Sequence, residues 1–194
     1  QDMRARFELE KARKEMELLS LKDHLTGAWN RRYLESEFPR IASKCRDERK
    51  TLHVAVLDID DFKTINDEFG HQLADQVLAS LGSGFIRKLE NKGFLIRLGG
   101  DEFLILYCED GLEELISQTI DELHDEPAIR QITRIRNVSL SAGFASAAPN
   151  ERADPNKLYV TADKALYSMK RKRKPERADE ELDDTFNRTG NWTI

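Results

Sequence analysis

The sequence lacks any run of apolar residues long enough to cross a lipid bilayer, and we expect no secretory signal peptide. It also lacks the excess of basic residues that nucleic acid phosphates require, because its formal net charge is −5. We therefore expect a cytoplasmic protein that, in this segment, contacts neither a membrane nor nucleic acid. The first residue is not methionine, and we expect an upstream sensor domain that is missing from this sequence.

Cysteine and histidine are too few and too scattered to predict a zinc site. The two cysteines, Cys45 and Cys108, lie far apart, and the four histidines show none of the short spacings of zinc ligands. Because Cys108 follows an apolar strand pattern, we predict a small buried side chain there rather than a reactive thiol.

Acidic residues follow two β-rich stretches. Residues 52 to 59 form an apolar, β-branched run, and its carboxyl end is crowded by Asp58, Asp60 and Asp61. Residues 95 to 107 are two apolar runs around Gly-Gly-Asp-Glu, which predicts a β-hairpin. A carboxylate at the edge of a core is costly without a cation, so the two acidic ends together predict a divalent-metal site. A solvated Gly-Asp turn is the alternative.

The remaining segments alternate between helical and extended patterns. Apolar spacing and capping signals predict helices at residues 31–46, 62–68, 72–90, 112–123 and 156–174, with Gly93 as a C-cap. A strand is predicted at 137–146, and the β-rich pattern extends back to residue 131. Strands interrupted by helices around an antiparallel hairpin predict an α+β fold with a ferredoxin-like β-α-β-β-α-β core.

The first 22 residues predict a charged helix that forms a coiled coil with a second copy of the chain. Its apolar residues are spaced four, three, four and three apart, which is a heptad seam of a parallel coiled coil: Ala5, Leu9, Ala12, Met16 and Leu19. A single amphipathic helix packed on its own domain is the alternative, because the seam is short. Residues 23–175 are then the globular domain, and 176–194 a charged and polar tail.

Four motifs resemble those of the GGDEF family of diguanylate cyclases. The hairpin carries Arg97-Leu98-Gly99-Gly100-Asp101-Glu102-Phe103, and the acidic strand continues in matching order through Lys63, Asn66, His71 and Asp75. The family's opening motif resembles Asp23-His24-Leu25-Thr26-Gly27, and its closing helix resembles Ala165-Leu166-Tyr167 with Lys170. The resemblance covers roughly residues 20 to 175. It implies the palm-like core that the family shares with nucleotide cyclases and polymerases.

The resemblance implies a metal site and three catalytic residues. Mg²⁺, or Mn²⁺ in its place, would be held by Asp58, the backbone carbonyl of Ile59, Asp101 and Glu102. The expected catalytic residues are Asp101 as base, Glu102, and Lys63 as a cation that stabilises charge on the phosphates. On its own, Lys63 would be taken for a solvated lysine.

The resemblance also implies a GTP site. The guanine edge offers two donors and an acceptor, which suit a carboxylate and an amide, and the matching positions are Asp75 and Asn66, with His71 beside them. Two further residues would pack on the base and two would bind phosphates: Leu25, Leu78, Lys170 and Lys174. Without the matching register, Asp75 would be a solvated helix residue and Asn66 part of an ordinary turn.

Besides a mild departure at Ala28, where the family usually carries a larger apolar residue, the chain departs from the family pattern in two places. The family follows its closing lysine with Gly-Arg-Asn, whereas residues 171–175 here are Arg-Lys-Arg-Lys-Pro, so Lys174 replaces the expected arginine. Many relatives carry an Arg-x-x-Asp product-inhibition motif where residues 90–93 here are Glu-Asn-Lys-Gly. We therefore expect weak or no product inhibition.

Together the implications predict a diguanylate cyclase that condenses two GTP into cyclic di-GMP and two pyrophosphates. The site would be shared across a homodimer joined through the N-terminal helix. A regulatory domain that binds GTP without efficient turnover and a synthase of a mixed cyclic dinucleotide are the alternatives. Asp75 favours GTP in both positions, because relatives that accept ATP tend to lose this residue.

Overall fold

The computed structural model of the protein describes residues 2–133 and 138–173. Within these ranges the helices are α1 (Asp2–Ser20), α2 (Arg31–Asp47), α3 (Phe62–Phe69), α4 (His71–Leu89), α5 (Leu112–Leu123), α6 (Pro127–Thr133) and α7 (Pro155–Arg173). The strands are β1 (Trp29–Asn30), β2 (Leu52–Ile59), β3 (Gly93–Gly99), β4 (Glu102–Tyr107) and β5 (Leu140–Ala147). Lys174 and the predicted tail lie outside the described residues.

The strands form one sheet in the order β1-β3-β4-β2-β5. β2 pairs antiparallel with β4 on one side and with β5 on the other, and β3 pairs antiparallel with β4. With α4 and α5 as the crossing helices, these strands form the β-α-β-β-α-β core, so the predicted α+β fold is confirmed. β1 adds a short parallel edge to β3 that the sequence did not predict.

Helices cover both faces of the sheet, and the sheet divides the core into two clusters. Leu57, Phe85 and Ile105 belong to the cluster under α4, α5 and α6. Val56 and Leu104 belong to the cluster under α2 and α7. Side chains two residues apart in a strand lie on the same face of the sheet. Asp58, two residues after Val56, and Glu102, two residues before Leu104, therefore also face α2 and α7.

Most element boundaries agree with the sequence patterns, and Asn30 caps α2 by accepting a hydrogen bond from the Tyr33 amide over 3.1 Å. Two local predictions are wrong. Gly93 begins β3, and α4 ends at Glu90 as C-cap. The β-rich pattern was predicted to extend back to residue 131, but residues 131–133 belong to helix α6. Pro127 starts this helix, and the buried residues of α6 are spaced for a helix: Ala128, Ile129 and Ile132.

The N-terminal helix α1 leaves apolar side chains in water. Leu9 is 73% exposed and Met16 is 70% exposed, and Met3 and Phe7 are exposed as well. The side chains of Ala5 and Leu19, also in the predicted seam, lie outside the described residues. The exposed side chains do not support the alternative in which α1 packs on its own domain. Across both described ranges, no helix has the length and apolar character that a membrane span requires.

A disulfide joins the two cysteines across the α2 face. Cys45 near the end of α2 and Cys108 just after β4 have Cα atoms 5.7 Å apart, a separation typical of disulfides. Cys45 is buried, whereas Cys108 is partly buried. The prediction of a small buried side chain at Cys108 is therefore corrected, since the side chain is only partly buried and is bonded to Cys45.

Reducing this disulfide should lower the free energy of unfolding by about 2–4 kcal/mol, because a bridge between distant positions restricts the unfolded chain. Urea denaturation with and without a thiol reductant measures the change. Cys108→Ser is the control, and reductant should leave its unfolding midpoint unchanged. Equal midpoints for the reduced and oxidised wild type would contradict the expectation.

Candidate functional site

The register of the sheet brings the predicted carboxylates together. Asp58 near the end of β2 pairs directly with Glu102 at the start of β4. Cross-strand partners in an antiparallel pair have Cβ atoms about 4.5–5.5 Å apart on the same face. Asp101 immediately precedes Glu102 at the tip of the hairpin, and its charge acts on Asp58. The strand end and the hairpin tip therefore form one acidic site.

Asp58 is a strongly perturbed carboxyl group. Burial raises its pKa to about 6. Lys170 on α7 opposes that shift and donates a hydrogen bond to Asp58 Oδ1, while the charges of Asp101 and Glu102 raise the pKa further. The ionised carboxylate remains destabilised despite Lys170, so a further cation would stabilise it.

These donors suit a divalent ion that shares its coordination with a ligand. In residues 2–133 and 138–173, no three His, Cys, Asp or Glu side chains are arranged as a ready-made metal cluster. Hard oxygen donors are nonetheless offered by Asp58 and the carbonyl of Ile59 at the end of β2 and by Asp101 at the hairpin tip. Mg²⁺ is commonly held by one or two carboxylates together with water and substrate phosphates. The residues present therefore fit such an ion.

The tip of the hairpin is open to a ligand. Gly99 follows a register shift in the β3–β4 pairing, and Gly100 has φ of +52°, in the left-handed region that favours glycine. Apart from its chain neighbours, a Cβ at either position would meet no atom within 4 Å. A large ligand can therefore approach the backbone beside Asp101.

Arg97 braces the hairpin tip against the loop before β1. Its guanidinium donates to the Gly100 carbonyl from Nε over 3.0 Å and from Nη2 over 2.7 Å, and from Nη1 to Asp23 Oδ1 over 3.0 Å. Asp23 also accepts hydrogen bonds from the amide and the hydroxyl of Thr26. Burial alone would raise the pKa of Asp23, but the hydrogen bonds from Thr26 and Arg97 hold it below its usual value.

Asp60 has a different role from Asp58. The hydroxyls of Ser139 and Ser141 donate to its two carboxylate oxygens, and its amide donates to the Ser139 carbonyl over 2.9 Å. These bonds tie the turn after β2 to the beginning of β5. Asp61, which follows, adopts the left-handed conformation with φ of +54°.

The predicted base-recognition residues lie on α3 and α4. His71 Nδ1 lies 3.0 Å from Asn66 Oδ1, so the structure brings these two side chains together across Gly70. Asp75 is exposed on the first turns of α4, where a base could reach it.

The other predicted contacts differ in exposure. Lys63 is exposed in the first turn of α3, and Leu25 is partly buried. Leu78 is only 2% exposed and belongs to the core, so it can support a base only from beneath. The predicted roles of all these residues remain predictions.

Sequence reasoning missed Tyr159 on α7. Its hydroxyl donates to Glu102 Oε1 over 2.8 Å. Burial, together with the charge of Glu102 and this hydrogen bond, raises the pKa of Tyr159, so the phenol keeps its proton. The one feature of the sequence that could indicate this role is that Tyr159 places a polar hydroxyl next to Leu158, in the apolar stripe of α7. That signal does not identify the acceptor, which is distant in sequence.

A family model described as diguanylate cyclase, GGDEF domain, matches residues 20–176. The chain is 31% identical over 152 residues to diguanylate cyclase DosC of Escherichia coli (strain K12), covering 77% of this chain and 33% of that protein. It is 29% identical over 160 residues to diguanylate cyclase DgcS of Shewanella oneidensis, covering 80% and 51%. The chain thus spans about a third to a half of the length of these relatives.

Solved structures agree with the fold. The coiled coil and GGDEF domain of DgcB from Caulobacter crescentus, in complex with c-di-GMP, superpose with a TM-score of 0.66 at 28% identity, covering 89% of this chain and 96% of that one. The active GGEEF domain of a diguanylate cyclase from Vibrio cholerae gives 0.63 at 32% identity, covering 74% and 91%. The family resemblance that the sequence motifs indicated is confirmed.

The raised pKa of Asp58 predicts a pH-dependent stability. The Asp58 carboxyl group binds its proton more tightly in the folded state than in the unfolded state. Its contribution to the free energy of unfolding is therefore full below about pH 4 and is lost as the pH rises through about 6. In chelator, the free energy of unfolding of the wild type relative to Asp58→Asn should fall by up to about 3 kcal/mol from pH 4 to pH 7. Denaturant titrations at each pH measure this difference.

Asp67→Asn on the exposed side of α3 is the matched control. The stability of this control relative to the wild type should not follow the same trend. A constant difference between wild type and Asp58→Asn across this pH range would show that burial does not raise the pKa of Asp58.

Proposed function

Because this chain belongs to the diguanylate cyclase GGDEF-domain family, we propose that it condenses two GTP molecules into cyclic di-GMP and two pyrophosphates. The observation that carries the proposal is the convergence of Asp58, Asp101 and Glu102 beside Lys170. The relatives DosC and DgcS, which are named diguanylate cyclases, support the same activity.

A divalent ion completes the proposed site. Asp58, the carbonyl of Ile59, Asp101 and Glu102 would hold Mg²⁺, for which Mn²⁺ could substitute. When bound, the ion would neutralise phosphate charge and favour ionisation of the attacking hydroxyl. The buried, destabilised charge of Asp58 supports this assignment.

The chain's own residues would handle the proton and the phosphate charge. Asp101 would accept the proton of a 3′-hydroxyl as its oxygen attacks the α-phosphorus of the other GTP. The new O3′–P bond forms while the bond between the α-phosphorus and the bridging oxygen breaks, and pyrophosphate leaves. Lys63 on α3 and Lys170 on α7 would stabilise the charge on the phosphates near Asp58 and Glu102.

Guanine recognition would use the α3–α4 region. A carboxylate at Asp75 can accept from both N–H donors on the Watson–Crick edge of guanine, and the amide of Asn66 can bond to the remaining groups. The contact between His71 and Asn66 supports this role, because it limits the rotation of the amide. The base would lie over Leu25, with Leu78 beneath.

Two copies of the chain must cooperate, because each GTP supplies a hydroxyl that attacks the other. Pairing through α1 would cover Leu9 and Met16, which one chain leaves exposed. The solved DgcB structure includes a coiled coil with its GGDEF domain. We therefore propose a homodimer joined by α1. The upstream sensor and the cytoplasmic location remain predictions.

Replacing Asp101 by Asn should lower cyclic di-GMP formation from GTP and Mg²⁺ by about 100-fold or more, because it removes a base and a charged metal donor. Chromatography of the products measures the rate. The specific activity of the wild type should rise with protein concentration, since the site needs two chains.

Asp121→Asn, on the exposed face of α5, is the control that should keep full activity. Retained activity in Asp101→Asn would refute the site assignment. A wild type that yields no cyclic dinucleotide at any concentration would refute the proposed function.

Added cyclic di-GMP should not inhibit its own synthesis noncompetitively by binding at the turn between α4 and β3. Residues 90–93 lack the arginine and the aspartate of the inhibition motif. Gly93 cannot take an aspartate side chain without movement, because its Cβ would lie 2.8 Å from the Leu106 carbonyl oxygen and from carbon atoms of Leu89 and Tyr107. Initial rates at varied GTP and cyclic di-GMP test this. Strong inhibition that excess GTP does not relieve would contradict it.

A further inference from the structure

Helix α7 contacts Asp58 and Glu102, here called the acidic pair, at two points. On α7, the hydroxyl of Tyr159 donates to Glu102 Oε1, and the ammonium of Lys170 donates to Asp58 Oδ1. Asp58 and Glu102 are direct partners in the β2–β4 register. One helix therefore contacts both carboxylates of the pair, one through a neutral donor and the other through a cation.

The ring of Tyr159 and its hydroxyl have different roles. The side chain is 6% exposed and lines the same small apolar cavity as Leu34, Phe38 and Leu104. A phenylalanine ring would fill this space, whereas a buried hydroxyl is costly unless it is hydrogen-bonded. The hydroxyl is compatible with this position because Glu102 accepts a hydrogen bond from it.

A hydrogen bond to one oxygen restricts the whole Glu102 side chain. Glutamate has several rotatable bonds, and ordering it when a ligand arrives would cost conformational entropy. Carboxylates that bind metal ions are commonly oriented by hydrogen bonds from neighbouring groups. Tyr159 supplies such a bond from a buried and rigid aromatic ring.

We propose that Tyr159 is a positioning residue, whose hydroxyl holds the Glu102 carboxylate in the orientation that contributes to divalent-metal binding beside Asp58 and Asp101. The inference deepens the proposed function and rests on it for the role of Glu102. Tyr159 itself touches neither the metal nor the nucleotide in this assignment. Its contribution is the orientation of one donor.

Tyr159→Phe tests the proposal, because it keeps the ring and removes the hydroxyl. The dissociation constant of Mn²⁺ should rise about tenfold, as is typical when the hydrogen-bond partner of a metal ligand is lost. Electron paramagnetic resonance can measure it in the presence of a GTP analogue with a methylene group between the α- and β-phosphates. In turnover, the half-saturating Mg²⁺ concentration should rise similarly, while kcat at saturating Mg²⁺ stays within about twofold.

Tyr33→Phe is the matched control. Tyr33 is also 6% exposed and lies in the same apolar cluster, but its hydroxyl interacts with Arg40 on α2. This variant should bind Mn²⁺ like the wild type. In a Glu102→Ala background, which removes the acceptor, Tyr159→Phe should have little further effect on Mn²⁺ binding, because the two changes act on one interaction.

The outcomes separate this inference from the proposed function. Unchanged Mn²⁺ affinity in Tyr159→Phe, or an equal loss in Tyr33→Phe, would overturn the positioning role even if the wild type makes cyclic di-GMP. A wild type without cyclase activity, whose Mn²⁺ affinity still depends on Tyr159, would reject the proposed function and support the positioning role. A wild type that binds no Mn²⁺ with the analogue would reject both.

Discussion

The burial of one carboxylate, Asp58, is the constraint on which the acidic site depends. A charge at the end of a central strand loses most of its contact with water, and that loss is only partly offset by the ammonium of Lys170. The antiparallel register then places Glu102 directly opposite, which adds repulsion. A site with this excess of negative charge is poised for a cation, because metal binding relieves both the desolvation and the repulsion.

Three separate braces keep the loops around this charge in place. Arg97 joins the hairpin tip to the turn at Asp23, and the serines of β5 fix the turn after β2 through Asp60. Tyr159 on α7 donates a hydrogen bond to Glu102 at the start of β4. Each brace joins elements that are distant in sequence, so together they hold the site's geometry before any ligand binds. Such preorganisation reduces the reorganisation that binding would otherwise require.

The sequence predicted the parts of this arrangement that depend on local pattern. The apolar run of β2, the Asn30 cap of α2 and the spacing along α4 each act within a few residues, and the structure has them within one or two positions. Pairings between distant positions were not predictable in this way, because nothing local distinguishes Ser141 from any strand serine or Cys45 from any buried thiol. Helix α6 was missed because Ile132 suits a buried strand and a buried helix equally.

The position of α7 on the sheet links the packing to the chemistry. A side chain at Gly143 on β5 would overlap the backbone of Ala162 and Leu166, so α7 can lie this close only because that position is glycine. Tyr159 and Lys170 lie on either side of that contact along the helix, and their reach to Glu102 and Asp58 depends on the same closeness. A helix held farther from β5 would lengthen both hydrogen bonds together. The close approach at Gly143 therefore helps to set the two hydrogen bonds that α7 makes to Glu102 and Asp58.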